Sequence, residues 1–507
     1  MKRKLEYEDH SESAKRLSNV SESMKSPIRL TKIRDLPDSE NVGTVSLDEI
    51  LGHEDLYMMW QFNFMMSIPF VMQHIHDKCH SQVKSYFVHG YKFSTMEEKK
   101  RLRHDADMCR YPENITVEGV RLNTEYATHH SKLMVLVFGK GQFRTVQIII
   151  HTANMIPFDW NNMTQGVWQS PRLTLANKGT DKICQFKQDF LQYIDAYNID
   201  STKKLHSLLQ EFDFSPIKAV LVASVPGNYF VPDKNYKQWG IARLQRELSK
   251  LDIKYDHDQE IVCQVSSIGT LGTTDSYLKD IIEDALNGDP FFTNGRSDRV
   301  PLRIVFPTVA EVADSLNGYA SGSSIHFKRS TDAQIKQLKY LLPRLRRWQA
   351  YKAGRARASA HIKSYFRTSH DNQHLEWFLL TSANLSKQAW GTINQKKKNQ
   401  WIQSWECGVL LHPQCLGVDK LVPVYKEDEL KHVVSGDAPG TSPQSNRGKG
   451  PDPLALLRKE GSGHDKLLPI RLAFDLPLTP YTKSDIIWSP NEVYSEPDWR
   501  GETWPMI

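Results

Sequence analysis

From about residue 46 the chain alternates short apolar runs with longer mixed stretches. Apolar and aromatic residues become dense in SLDEILGHEDLYMMWQFNFMMSIPFVMQHI, where Trp60 and Phe62 read as core. KAVLVASVPG (218–227) and LRIVFPTV (302–309) are short, β-branched and closed by Gly or Pro, which predicts buried strands. DAQIKQLKYLLPRLRRWQAYKAG predicts a helix that Pro343 kinks or interrupts. Strands alternating with helices give an α/β class.

The ends read differently. Residues 1–45 are rich in Ser, Glu, Lys and Arg without a hydrophobic period, which predicts a disordered tail. Its Lys2-Arg3-Lys4 and Lys15-Arg16 clusters are of the spaced basic kind that directs proteins to the nucleus, the expected location; a cytoplasmic or mitochondrial fraction stays open. A flexible loop is expected over 435–466, opening with SGDAPGTSPQSNRGKGPDP. The aromatic-rich end, DIIWSPNEVYSEPDWRGETWPMI, is expected to dock on a core. What remains divides into halves at 46–216 and 217–507.

Composition narrows the function classes only a little. With 507 residues, 39% hydrophobic, 24% charged and a net charge of +6, the chain reads as a globular protein tilted toward polyanionic partners. No apolar window suits a signal peptide or a membrane span. Six scattered cysteines suit a reducing compartment.

The informative pattern is a recurrence. THHSKLMVLVF places His130 and Lys132 at the head of an apolar run, and HIKSYF repeats the triplet with His361 and Lys363. Behind each comes a second extended run, TVQIIIHTAN ending at Asn154 and LEWFLLTSAN ending at Asn384, at nearly equal offsets. A tryptophan follows six residues after each asparagine, at Trp160 and Trp390. Gln165 then precedes Gly-Val, and Glu406 precedes Cys-Gly-Val. This is an internal duplication.

Turns at GKGQ (139–142) and TSHDNQ (368–373) make each pair of runs a hairpin, which returns Asn154 toward His130 and Asn384 toward His361. Strand alternation puts each histidine and its lysine on one face. Two such half-sites facing each other form a pocket of two imidazoles, two ammoniums and two carboxamides. That set suits a phosphodiester: Lys132, Lys363, Asn154 and Asn384 stabilise charge on the non-bridging oxygens. One histidine, neutral, attacks phosphorus; the other, protonated, serves the leaving oxygen and later activates water. Gln165 and Glu406 are candidates to orient the ring nitrogens outside the chemistry. No carboxylate cluster suggests Mg²⁺, so no metal and no cofactor is expected. Spacing alone leaves open which histidine attacks.

THHSK with HTANMIPFDW and TQGVW, then HIKSYFR with TSANLSKQAWG, resembles the tyrosyl-DNA phosphodiesterase branch of the phospholipase D superfamily. Many superfamily members carry Asp five residues after the lysine; Val137 and Thr368 stand there, which fits that branch and not a phospholipid hydrolase. The resemblance implies two similar α/β/α-sandwich halves related by a pseudo-two-fold axis around one active site. It implies His130 as nucleophile and His361 as general acid, then base. The implied substrate is DNA with a blocked 3′ end, single-stranded, nicked or blunt, bearing a topoisomerase I peptide or another adduct, and the product a 3′-phosphate. Ser267 and Ser386 match family positions that touch the DNA backbone. Because one chain holds both half-sites, a monomer is expected.

Other features carry two readings. Tyr126 is either a base-stacking aromatic or a partly buried strand residue. The run Arg344, Arg346, Arg347, Lys352, Arg355, Arg357 is either a funnel for DNA phosphates or a solvated helix face. Lys396-Lys397-Lys398 reads as an exposed loop. HIHDKCH (His74, His76, Cys79, His80) lacks a second ligand cluster and reads as a helix surface rather than a zinc site. A lipid phosphodiesterase and a catalytically dead DNA-end-binding protein are the rival functions.

Overall fold

The computed structural model describes residues 25–426 and 466–505, apart from 93–95, 178–183, 232, 234–235 and 293–298. Two large sheets dominate, and the duplication is written in their order. In the first, strands run 28–30, 166–169, 145–151, 133–138, 56–62, 84–91 and 115–121, with 173–174 added on 145–151. In the second they run 220–224, 406–411, 375–381, 364–368, 261–264, 302–305 and 345–346, with 420–424 and 467–471 added beside 375–381. Pairings match step for step: antiparallel as far as 56–62 and 261–264, then parallel to the edge.

Each strand bearing a His-x-Lys headpiece is central, and its hairpin partner lies alongside: Leu133 faces Ile150 and Ser364 faces Leu380. Such strands must be apolar on both faces, and they are. Leu133, Val135 and Val137 enter one core while Met134, Leu136 and Phe138 enter another. In the second half Phe378 and Leu380 join the first of these cores, whereas Trp377 and Leu379 join a third. The shared core therefore sits between the halves, and helices Leu47–Leu51 and Ile68–Met72 cover one outer face, Gly240–Leu248 and Asp332–Leu341 the other. At about 1.5–3 kcal/mol per buried large aliphatic or aromatic side chain, this common core is what fixes one half on the other.

Three sequence expectations are corrected. Order begins by residue 25, not 46: Ile28–Leu30 pairs with Gly166–Trp168 and is the counterpart of Val220–Ser224, the first strand of the repeat. Residues 1–24 with their basic clusters, and all of the 435–466 loop but residue 466, lie outside the described residues. The long helix stops at Leu341; Pro343 sits in a single 3₁₀ turn and Leu345–Arg346 is an edge strand, so the arginine run has no helix to be a face of. Arg346 and Arg355 are buried, the latter donating to Glu40 and Thr31 carbonyls, while Arg344 and Arg347 pair with Glu283 and Glu311. These four cations are engaged within the fold, while Lys352 and Arg357 are exposed. The aromatic end does dock: Trp488 is fully buried, with the Trp504 ring 5.5 Å away.

Candidate active site

Each histidine is set by the half to which it does not belong. The His130 N–H donates to the Trp405 carbonyl (2.9 Å), one residue before Glu406. The His361 N–H donates to the Thr164 carbonyl (3.0 Å), one residue before Gln165. The side chains follow the same crossing. Glu406 Oε2 lies 2.9 Å from His130 Nδ1. Gln165 Nε2 lies 2.9 Å from His361 Nδ1. The two segments that lead into the triplets thus bond backbone to backbone across the interface, and both imidazoles face one cleft of about 830 Å³.

The acceptors are themselves held. Ser382 Oγ donates to Glu406 Oε2 (2.5 Å) and accepts from Cys407 N (3.0 Å). Thr152 Oγ1 donates to Gln165 Oε1 (2.7 Å) and Gln165 Nε2 donates to Asp159 Oδ2 (3.1 Å), while the same Oε1 stands 3.2 Å from His361 Nδ1, where it accepts the hydrogen of that ring nitrogen. Asp159 Oδ2 also stands 3.2 Å from His361 Nδ1 and accepts from Asn154 N at 2.7 Å. Burial raises the Asp159 carboxyl to about 6 against the pull of Asn154 and the two lysines.

Both lysines are fully buried, and each ammonium donates to the carbonyl of the histidine two residues earlier: Lys132 Nζ to His130 O (3.2 Å), Lys363 Nζ to His361 O. Burial lowers Lys132 to about 8 and Lys363 well below the usual lysine range, the latter further depressed by Lys132. Burial likewise lowers both histidines. His130 is partly restored by Glu406, whereas His361 is pushed down further by Lys363 and Lys132. Two desolvated lysines therefore stand behind the two histidines, and negative charge placed beside them favours their ammonium form.

The asparagines close the set. Asn384 Oδ1 accepts from Ser266 N (3.1 Å) and Ser267 N (3.0 Å), which leaves its amide hydrogens for the cleft. Asn154 also lines the cleft, and its buried Oδ1 has no hydrogen-bond partner among the described residues.

A family model for tyrosyl-DNA phosphodiesterase matches residues 27–482. This chain belongs to the tyrosyl-DNA phosphodiesterase family. Among family members it is 31% identical over 557 aligned positions to a probable tyrosyl-DNA phosphodiesterase of Schizosaccharomyces pombe, covering 96% of each chain. It is 28% identical to tyrosyl-DNA phosphodiesterase 1 of Arabidopsis thaliana, covering 99% of this chain and 80% of that one. The crystal structure of the yeast tyrosyl-DNA phosphodiesterase superposes with a TM-score of 0.65 at 22% identity, over 91% of this chain and 99% of the other. The phospholipase D-type fold expected from the resemblance is the fold observed.

Within this tyrosyl-DNA phosphodiesterase-family chain, both histidines, both lysines, both asparagines, Gln165 and Glu406 converge on one place. Ser267 and Ser386 line the cleft, although Ser386 Oγ also caps a short helix by accepting from Ala389 N. Tyr126 corrects the reading of a partly buried strand residue: it is 74% exposed, outside any strand, at the cleft mouth. His74, His76, Cys79 and His80 do not converge on a metal; His74 pairs with Asp48 and His76 caps the turn Asp77–His80.

Sequence reasoning missed Asp159, Ser382, Phe64 and His326. Asp159 stands five residues after Asn154, but Ala389 holds the equivalent place in the second copy, so the repeat gave no mark. The Phe64 ring lies 5.7 Å from that of His130 and His326 lines the cleft beside Ser267; Phe64 sits in the bend after the strand Leu56–Phe62 and His326 on a short strand, both remote in sequence from the triplets.

Proposed function

We propose that this chain is a DNA-repair phosphodiesterase that hydrolyses the 3′-phosphotyrosyl bond between DNA and a topoisomerase I peptide, and other 3′ adducts. The single observation that carries the reading is the crossed pairing of His130 with Glu406 and His361 with Gln165 over one cleft, with a buried lysine behind each histidine. Glu406 holds the His130 hydrogen on Nδ1 and leaves the Nε2 lone pair for phosphorus. Attack by Nε2 forms a P–N bond as the P–O bond to tyrosine breaks, and His361, as imidazolium with Asp159 against its Nδ1–H, gives its Nε2 proton to the departing phenolate. His361, now neutral, takes a proton from water; the hydroxide displaces His130 and leaves a 3′-phosphate. Lys132, Lys363, Asn154 and Asn384 oppose the charge on the equatorial oxygens throughout.

Burial is the main cause that holds His361 down and the two lysines add to it; a phosphate beside Lys132 and Lys363 offsets the lysine part, which favours the protonated acid. In this scheme the lysines supply the positive charge that a metal supplies in other phosphoryl-transfer sites, and the reaction proceeds in EDTA. The monomeric state and a nuclear location directed by Lys2-Arg3-Lys4 and Lys15-Arg16 belong to the same proposal. The test is release of tyrosine from a single-stranded 3′-phosphotyrosyl oligonucleotide in EDTA. Strict dependence on added divalent metal, or no release at all, overturns it.

A further inference from the structure

Beside the cleft a three-stranded sheet, Gly227–Phe230, Thr392–Asn394 and Asn399–Ile402, stands apart from the two large ones. One of its faces is turned to solvent and is aromatic. Asn228 pairs with Trp401, and Phe230 with Asn399, so Trp401 and Phe230 share that face; they are 42% and 47% exposed. Large aromatics left open on a sheet are costly for a fold and informative about partners. At the end of the sheet the turn between its second and third strands carries Lys396, Lys397 and Lys398, all exposed. No carboxylate of a described residue lies within ion-pair range of these three lysines, and the nearby turn after Phe230 adds one acid, Asp233.

The sheet meets the cleft at the ends of its strands. Ser386 and Gln388, just before the Thr392 strand, and Ser404, just after Ile402, all line the cleft. The Gln388 carbonyl accepts from Gln403 N and Ser404 N, which pins both entrances of the sheet together. Thr124 Oγ1 donates to Gln403 Oε1 (2.9 Å), tying the segment that carries Tyr126 to the same rim. At strand rise, Trp401 lies about 10 Å from Ser404 and the level of Phe230 about 7 Å beyond it, with the lysines next. Tyr126, Trp401 and Phe230 thus mark a line of ring faces leading away from the reacting centre toward a cationic end.

We infer that this sheet face is a second nucleic-acid contact, which holds an unpaired stretch of the substrate strand several nucleotides from the scissile phosphate. It rests on the proposed DNA substrate and adds where the rest of that strand goes. Aromatic faces beside a cluster of lysines are the chemistry that holds single strands without reading sequence: bases stack, phosphates meet ammoniums. A run of three lysines alone is an ordinary solvated turn; the aromatic face and the sheet's meeting with the cleft are what make it a track.

The experiment compares 3′-phosphotyrosyl oligonucleotides of about three and about fifteen nucleotides, the longer spanning a full single-strand site. Trp401→Ala with Phe230→Ala, and separately Lys396→Gln with Lys397→Gln and Lys398→Gln, are measured against the unaltered protein. Each aromatic removed should weaken binding of the long oligonucleotide about fivefold or more. The lysine variant should flatten its salt dependence by about two in the log–log slope. Turnover of the short substrate should not change in either. Unchanged affinity and salt slope for the long strand, with the variants folded by thermal unfolding, overturn the inference. So does a loss that tracks the length of the attached peptide instead of the oligonucleotide. Failure of the unaltered protein to cleave the short substrate is a separate result and refutes the proposed function itself.

Discussion

Glu406→Gln tests the crossed geometry most directly, because it removes a charge and almost no volume. Glu406 and His130 are both buried and 2.9 Å apart, so solvent screens their interaction little. A hydrogen bond to a charged group contributes about 1.5–3 kcal/mol and a neutral one about 0.5–1.5, so the loss at the step that makes His130 cationic is about 1–1.5 kcal/mol, roughly tenfold in kcat. If the amide presents its nitrogen to Nδ1 instead of its oxygen, the lone pair moves to the wrong ring nitrogen and the loss grows toward 10⁴. The pH profile adds a sign that a merely structural role would not produce. Glu406 raises the His130 pKa against burial, so without the charge that pKa falls further. The neutral nucleophile then persists to lower pH, and the acid limb of kcat/KM moves to lower pH while the plateau drops. The assay is tyrosine release across pH, with burst measurements of covalent adduct to isolate the first step. A plateau and acid limb both matching the unaltered protein would refute the reasoning.

Three further expectations follow from named contacts. His361→Asn should accumulate a protein–DNA adduct visible on a denaturing gel, because phenolate departs without much help while water does not attack without a base; His130→Ala should give neither adduct nor turnover. The alkaline limb of kcat should lie at higher pH than that of kcat/KM, since burial and, beyond it, the Lys363 and Lys132 charges depress His361 in the free protein and bound phosphate offsets those charges; coincident limbs would contradict it. Arg243→Ala should cost about 3–5 kcal/mol in denaturant unfolding with little effect on turnover per folded molecule, because it strands buried Asp189, which Arg243 Nη2 meets at 2.6 Å; Arg243→Met with Asp189→Leu should recover much of the loss.

What could be seen in the sequence was local or repeated. The hairpins after His130 and His361 were legible because their strands are apolar, their turns polar, and each occurs twice. Ile28–Leu30 was not, since three residues between polar flanks carry no period and their partner lies more than a hundred residues away. The arginine run misled for a related reason: Pro343 marked the break, but charge density said nothing of Glu283, Glu311 or the carbonyls that Arg355 meets. Gln165 and Glu406 were found as orienting candidates by their matched offsets. That each serves the histidine of the other copy is a tertiary fact, and Asp159, present in one copy only, left no trace in the repeat.

The exchange of partners across the interface has an evolutionary reading. An ancestral chain half this length, pairing with a copy of itself, would have lent its acceptor to its twin and received the same one back. Such a symmetric assembly cannot choose which imidazole strikes and which donates. Fusion into one polypeptide would free the two loci to drift separately, and the pair here differs: Glu406 alone behind one ring, a carboxamide together with the Asp159 carboxylate behind the other. Direction in the chemistry would then be a product of tethering, and cutting the chain near residue 217 should yield two fragments that are inert alone and regain activity only when mixed.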